Sequence, residues 1–133
     1  MIAAVDVAQL EGIWLFSSLS RKELESLAKW TDELEVPAGH MLAEQGTFAH
    51  EFFVIEDGAA NVLQDGERIA ELGAGDFFGE IGLLETERRT ASVVAETPLR
   101  VIVMFQREFK QMEREMPAVA ERIRAAIRAR LDR

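Results

Sequence analysis

The stretch GDFFGEIGLL at residues 75–84, followed by RRTASV at 88–93, is the most informative part of this chain. It places the carboxylate of Glu80 nine residues before the guanidinium of Arg89, with a short apolar turn between them. The turn after Gly79 is expected to present backbone N–H groups at a helix start, which is a ready site for an anion. Arg89 can offer a bidentate fork to a phosphate, and Glu80 can accept hydrogen bonds from a sugar hydroxyl. The stretch therefore predicts a site for a nucleotide with a compact phosphate.

Around this stretch, from Leu34 to Phe105, turn signals recur at short intervals, as in Pro37-Ala38-Gly39 and Asp57-Gly58. Between the turns lie short runs that favour strands, at residues 52–55, 61–63, 68–70, 91–94 and 99–105. Many short strands at regular spacing indicate a β-barrel or jelly roll. A short helix is predicted at about 80–84, inside the informative stretch.

Helical patterns flank the strands on both sides. Ser20 and Glu23 have the spacing of a capping box, and Leu19 and Leu24 that of a hydrophobic staple, so a helix is predicted near 20–31. A weaker pattern suggests a short helix around 6–15. Beyond the strands, two apolar stripes recur at helical spacing on either side of Pro117, which breaks one helix or starts the next. The stripes are Phe105, Phe109, Met112 and Met116, and then Val119, Ile123, Ile127 and Leu131.

Length and composition limit the classes of function. A chain of 133 residues suffices for one domain that buries roughly two thirds of its unfolded surface. The lack of cysteine excludes disulfides and thiolate catalysis. No apolar run approaches the ~20 residues of a membrane span, and the first residues lack a basic leader region, so a cytoplasmic protein without a membrane span is expected.

The net charge of −9 opposes direct binding to nucleic acid, because Lys and Arg supply most of that affinity. A small anion is a different case. A local cluster of donors can hold it, since the long-range field is screened within ~8–10 Å at physiological salt.

The segments FGEIGLL at 78–84 and RTASV at 89–93 resemble the phosphate-binding cassette of cyclic nucleotide-binding domains, especially those of cyclic nucleotide-gated and hyperpolarisation-activated channels. The resemblance extends more weakly over about residues 12–131. It implies a mainly β, α+β fold, with one domain over 1–133. An eight-stranded β-roll or jelly roll at 34–105 would carry the cassette at 79–92. N-terminal helices within 1–33 and C-terminal lid helices within 106–131 would flank it.

The resemblance also implies roles for individual residues. Glu80 would bind the ribose 2′-hydroxyl, and Arg89 the cyclic phosphate, because Arg89 rather than Arg88 directly precedes the small residues. The Ala91 N–H would contact the phosphate, and the Thr90 hydroxyl the phosphate or a guanine amino group. Three apolar side chains would line the base and sugar pocket, although a plain core role also fits them. The full expected ligand-binding set is Gly79, Glu80, Ile81, Gly82, Leu83, Arg89, Thr90, Ala91, Val62, Ile69 and Leu72.

The implied function is a sensor or regulatory module for cyclic AMP, or else cyclic GMP, with no metal and no enzymatic activity. Binding would favour the state in which the C-terminal helix covers the pocket. The same helix would be the contact for a homodimer or an effector protein.

Three alternatives stay open. A cupin-like metalloenzyme would share the jelly roll, with His50 and Glu56 among its ligands, but such sites need about three histidines and a carboxylate. The chain has only His40 and His50, which are interpreted as ordinary surface residues. The chain could instead be the sensor part of a transcription regulator of the catabolite activator type. Finally, a cassette that has lost its ligand would act only as an interaction domain.

Overall fold

Two antiparallel sheets build the body of the protein, with helices before and after them. The computed structural model describes residues 2–79 and 88–131, and these residues form nine strands. The bounds in chain order are β1 (Ile2–Ala4), α1 (Val7–Glu11), a 3₁₀ turn (Trp14–Phe16), α2 (Arg21–Ala28), β2 (Asp32–Val36), β3 (Met41–Ala43), β4 (Glu51–Asp57), β5 (Ala60–Gln64), β6 (Glu67–Leu72), β7 (Phe77–Phe78), β8 (Ser92–Ala95), β9 (Leu99–Phe105), α3 (Gln106–Glu115) and α4 (Pro117–Leu131). The predicted helix at 80–84 lies outside the described residues.

The strands are ordered β1-β2-β9-β4-β7 in one sheet and β3-β8-β5-β6 in the other. Strands β2–β9 form the predicted eight-stranded roll, which confirms the mainly β, α+β fold. Strand β1 was not expected, because residues 1–33 read as helical. It pairs antiparallel with the edge of β2, where Ile2 lies opposite Leu34, and so supplies partners to backbone groups that an edge leaves open.

Alternating side chains of β4 pack into two separate hydrophobic cores. Phe52 and Val54 face the helical core, which contains buried residues of all four helices, whereas Phe53 and Ile55 face the roll core between the sheets. Strand β7 repeats the pattern. Phe77 contacts the ring of Phe52 on the helical side, and Phe78 stacks on Phe53 inside the roll at 4.7 Å between centroids.

The capping box at the start of α2 is confirmed. The Glu23 N–H donates to Ser20 Oγ at 3.2 Å, and the Ser20 N–H donates to a Glu23 carboxylate oxygen at 2.9 Å. The helix ends at Ala28, earlier than predicted. The weaker pattern at 6–15 is divided between α1 and the 3₁₀ turn, because Gly12 caps the first helix.

Residues after the roll are helical, as predicted, and Pro117 starts α4. The prediction that Phe105 belongs to the apolar stripe of α3 is wrong. Phe105 has extended backbone angles, ends β9 and is 37% exposed, whereas Phe109 and Met112 are buried. In α4 the side chains of Val119, Ile123 and Ile127 are almost completely buried in the helical core.

Ion pairs fix α4 at its polar side. Arg122 binds Glu23 of α2, and Arg124 binds Glu113 of α3. The hydrogen bond from Arg122 lowers the pKa of the Glu23 carboxyl below its ordinary value. None of the helices described here is both long and apolar enough to cross a bilayer.

Candidate functional site

A cavity of about 140 Å³ opens between the two sheets beside the end of β7. Its walls come from the second sheet, from the segment just before β8 and from the residues that follow β7. The described side chains of these walls are mostly small or apolar, and a single one of them is charged. The described lining residues are Ala43, Ala49, Val62, Phe78, Gly79, Arg89, Thr90, Ala91 and Val93.

Arg89 supplies the charge at this cavity. Its side chain is only 8% exposed, and its guanidinium donates to the Glu51 carboxylate at 3.2 Å and to the Glu51 carbonyl at 3.3 Å. A buried cation is stable only where partners compensate its desolvation. Glu51 therefore holds a positive charge beside the small and apolar side chains that the described wall contains.

Gly79 lies in close contact with the Glu51 backbone and the Arg89 side chain. It has a φ of +80°, a conformation that residues with a side chain rarely adopt. A Cβ there would lie 2.4 Å from the Glu51 carbonyl oxygen and 3.2 Å from Arg89 Nη1. The absence of a side chain at residue 79 thus leaves room for the Arg89–Glu51 pair.

The residues expected from the cassette fall into three groups. Gly79, Arg89, Thr90, Ala91 and Val62 lie together around the cavity. Leu72 is half-buried and packs against the roll core, and Ile69 is 56% exposed on β6; neither is among the described lining residues. The remaining four, Glu80, Ile81, Gly82 and Leu83, lie outside the described residues.

Sequence reasoning missed Ala49, which lines the cavity just before β4, and Glu51, the first residue of β4, which pairs with Arg89. Glu51 lies 38 residues before its partner Arg89, and no local pattern connects the two. Only the fold, which brings β4 beside β7, makes the pair visible.

The histidines do not form part of a metal cluster in residues 2–79 and 88–131, where no three His, Cys, Asp or Glu side chains are placed to hold one ion.

The chain is similar to known sequences and structures. A sequence profile described as cyclic nucleotide-binding domain matches residues 33–115, from β2 through α3. This chain belongs to the cyclic nucleotide-binding domain family. The matched region contains every described residue that lines the cavity.

Individual proteins are similar to this chain over most of its length. It is 34% identical over 107 residues to a cAMP-dependent protein kinase regulatory subunit of Emericella nidulans, covering 79% of this chain and 26% of that protein. It is 31% identical over 110 residues to a cyclic nucleotide-gated potassium channel of Rhizobium etli, covering 83% of this chain and 31% of the channel. A crystallised cyclic nucleotide-binding domain from Methylobacillus flagellatus superimposes with a TM-score of 0.80 at 25% identity, covering 95% of this chain and 76% of that one. The chain thus spans about a quarter to a third of the first two relatives.

Proposed function

We propose that this chain is a regulatory domain that binds cyclic AMP in the cavity beside Gly79, with cyclic GMP as the weaker ligand. The observation that carries the proposal is a nearly buried guanidinium at the wall of an apolar cavity, in a protein whose net charge is −9. A buried ion pair such as Arg89–Glu51 is weak evidence for a role in stability, whereas an anion site requires a cation. The relative from Emericella nidulans is named as the regulatory subunit of a cAMP-dependent protein kinase.

In this proposal Arg89 binds the cyclic phosphate. A guanidinium has five N–H donors in a planar fork, so it can bind the phosphate while keeping a bond to Glu51. Small side chains at Thr90 and Ala91 let the phosphate approach the backbone, and the Thr90 hydroxyl is available to the phosphate or to a guanine amino group. Glu80 binds the ribose 2′-hydroxyl, and residues 79–83 supply backbone N–H groups.

Apolar side chains bind the base and sugar. Val62 lies at the cavity wall, and Leu72 packs against the roll core. Ile69 is more exposed, and a purine that extends out of the cavity over β6 would cover part of its 56% exposed surface.

We further propose that nucleotide binding is coupled to the position of α4. The support is the alternation in β7: Phe78 lines the cavity, while its neighbour Phe77 packs on the helical core in which α4 is buried. A shift of β7 on binding would act on both cores, because packed cores transmit displacement. The same helix is the expected contact for a second copy or an effector protein.

Thermal unfolding with and without nucleotide tests the proposed ligand. A micromolar dissociation constant corresponds to about −8 kcal/mol, and ligand at ~100 times that constant adds ~2.7 kcal/mol of stability. The expected result is a higher melting temperature with millimolar cyclic AMP. No rise with either cyclic nucleotide would contradict the proposal.

Arg89→Ala identifies the site. It should weaken binding by about 1.5–3 kcal/mol, or more than about tenfold, because it removes a charge-assisted bond to the phosphate. Arg100→Ala is the matched control, since Arg100 also pairs with a carboxylate, Asp57, at 3.5 Å, but lies outside the cavity lining. Equal losses of affinity in the two variants would contradict the assignment of Arg89.

A further inference from the structure

The segment Arg88–Arg89 lies along the loop formed by residues 44–48, here called the 44–48 loop. The Gly46 N–H donates to the Arg89 carbonyl at 2.9 Å, and the Arg89 N–H donates to the Thr47 carbonyl at 2.7 Å. Phe48 and Arg88 form an isolated antiparallel bridge. The backbone that carries Arg89 is therefore held by the loop rather than by a regular sheet.

The side chain of Arg88 adds two contacts to the same loop. Its Nη1 donates to the Gly46 carbonyl at 2.7 Å, and its guanidinium lies 4.5 Å from the centroid of the Phe48 ring. Arg88 is exposed, and its side chain spans the loop from Gly46 to Phe48. Phe48 is itself 49% exposed, so only about half of its side chain packs against the protein.

The rest of the 44–48 loop is anchored to the roll. The Thr47 hydroxyl donates to the Glu44 carbonyl at 2.7 Å, and the Gln45 N–H donates to Ser92 Oγ at 2.9 Å. The Gln45 side chain exchanges hydrogen bonds of 2.9 Å with Asp65 in the turn between β5 and β6. A side chain that binds this loop is therefore linked through Gln45 to the sheet that contains β5, β6 and β8.

We propose that Arg88 and Phe48 form a clamp that fixes the direction of the Arg89 guanidinium toward the cavity. This inference rests on the proposed function, and it makes Arg88 a positioning residue, since neither Arg88 nor Phe48 is among the described residues lining the cavity. A binding group held in place before the ligand arrives loses less freedom on binding. The clamp thus raises affinity for a phosphate without touching it.

Four variants separate positioning from plain charge. Arg88→Ala removes the clamp and a positive charge, whereas Phe48→Leu removes the ring and leaves the charge unchanged. A cation–π contact at an exposed site is weak, so each variant should weaken cyclic AMP binding by about two- to fivefold. The double variant should bind no more weakly than Arg88→Ala alone, because both changes break one contact. Arg88→Lys keeps the charge but not the planar group, and should recover only part of the affinity.

Two controls match these changes. Arg107→Ala removes an exposed positive charge, and Phe105→Leu removes a partly exposed aromatic ring. Both variants should bind cyclic AMP as tightly as the unaltered protein does. Wild-type affinity in Phe48→Leu would overturn the clamp and leave only a charge effect of Arg88. Losses that multiply in the double variant would overturn it as well, because the two side chains would then act independently.

A measurement without nucleotide tests the clamp separately from the ligand. In the unliganded protein, hydrogen exchange at the amides of Gly46 and Arg89 should become severalfold faster in both Arg88→Ala and Phe48→Leu, because these amides join the loop to the Arg88–Arg89 segment. Unchanged exchange at both amides would overturn the inference. Altered exchange in a protein that binds no cyclic nucleotide would instead overturn the proposed function and leave the clamp standing.

Discussion

Gly79→Ala should damage the site more than its size suggests. Two costs add at this position. The first is the left-handed backbone, since φ is +80° and a side chain there costs roughly 1–2 kcal/mol. The second is the collision of the new Cβ with the Glu51 carbonyl oxygen, 2.4 Å away. That oxygen belongs to the backbone of β4 and cannot rotate aside, so the cost is that of overpacking, about 1–3 kcal/mol.

Gly66→Ala separates the two costs. Gly66 has nearly the same conformation, with a φ of +83°, but nothing lies within 4 Å of the position that a Cβ would take. It should therefore lose only the backbone component of about 1–2 kcal/mol, while Gly79→Ala loses about 2–5 kcal/mol.

Denaturant unfolding of the two variants measures the difference, and calorimetry with cyclic AMP measures its effect on binding. Relief of the collision moves β4 away from β7 and disturbs the Arg89–Glu51 pair, so Gly79→Ala should also bind nucleotide more weakly, whereas Gly66→Ala should not. Equal free energies of unfolding for the two variants would refute the steric reasoning. Normal binding by Gly79→Ala would refute the link between this close approach and the site.

Burial raises the pKa of Glu56 above its ordinary 4.5, and the neighbouring carboxyl of Glu33 raises it further. The contribution of Glu56 to the free energy of unfolding is therefore complete below pH 4.5 and is lost as the pH rises through the raised pKa. Glu56→Gln should therefore flatten the fall in unfolding free energy above pH 4.5, and an unchanged pH profile would count against this. Hydrogen exchange across 118–131 should slow when nucleotide is added, and truncation after Pro117 should weaken binding; no change in either would show that α4 has no part in sensing. Glu80→Gln should lower affinity for cyclic AMP but not for its 2′-deoxy analogue, and an equal loss for both would remove Glu80 from the ribose site.

The sequence predicted those elements whose signals are local. The predicted strand at 99–105, the longest of the strand-favouring runs, coincides with β9. The cap at Ser20 was equally clear. Strand β2, with the sequence DELEV, has too few apolar residues to stand out, and β7 has only two residues. Both exist because neighbouring strands complete their hydrogen bonds, which is a tertiary effect.

The sequence predicted only the part of the candidate site that the stretch 79–92 forms. Gly79 and Arg89 belong to a contiguous stretch, and their roles follow from residue type and order. Glu51 and the 44–48 loop reach the same place from a part of the chain about 40 residues earlier. No periodicity joins these two segments, and the pairing of β4 with β7 and β9 brings them together. Register selects Arg89 over Arg88 for the phosphate, but register does not reveal the contacts that Arg88 makes along the surface.

Calorimetric titration of the unliganded protein with cyclic AMP, cyclic GMP and non-cyclic 5′-AMP tests the central claim most directly. The three ligands share a purine, a ribose and a phosphate, and cyclic AMP and 5′-AMP differ only in the closed phosphate ring and its charge. We expect saturable binding of cyclic AMP, weaker binding of cyclic GMP and little binding of 5′-AMP, because the cavity beside Gly79 and Arg89 takes a compact phosphate. Absence of heat with both cyclic nucleotides, or 5′-AMP binding as tightly as cyclic AMP, would contradict it.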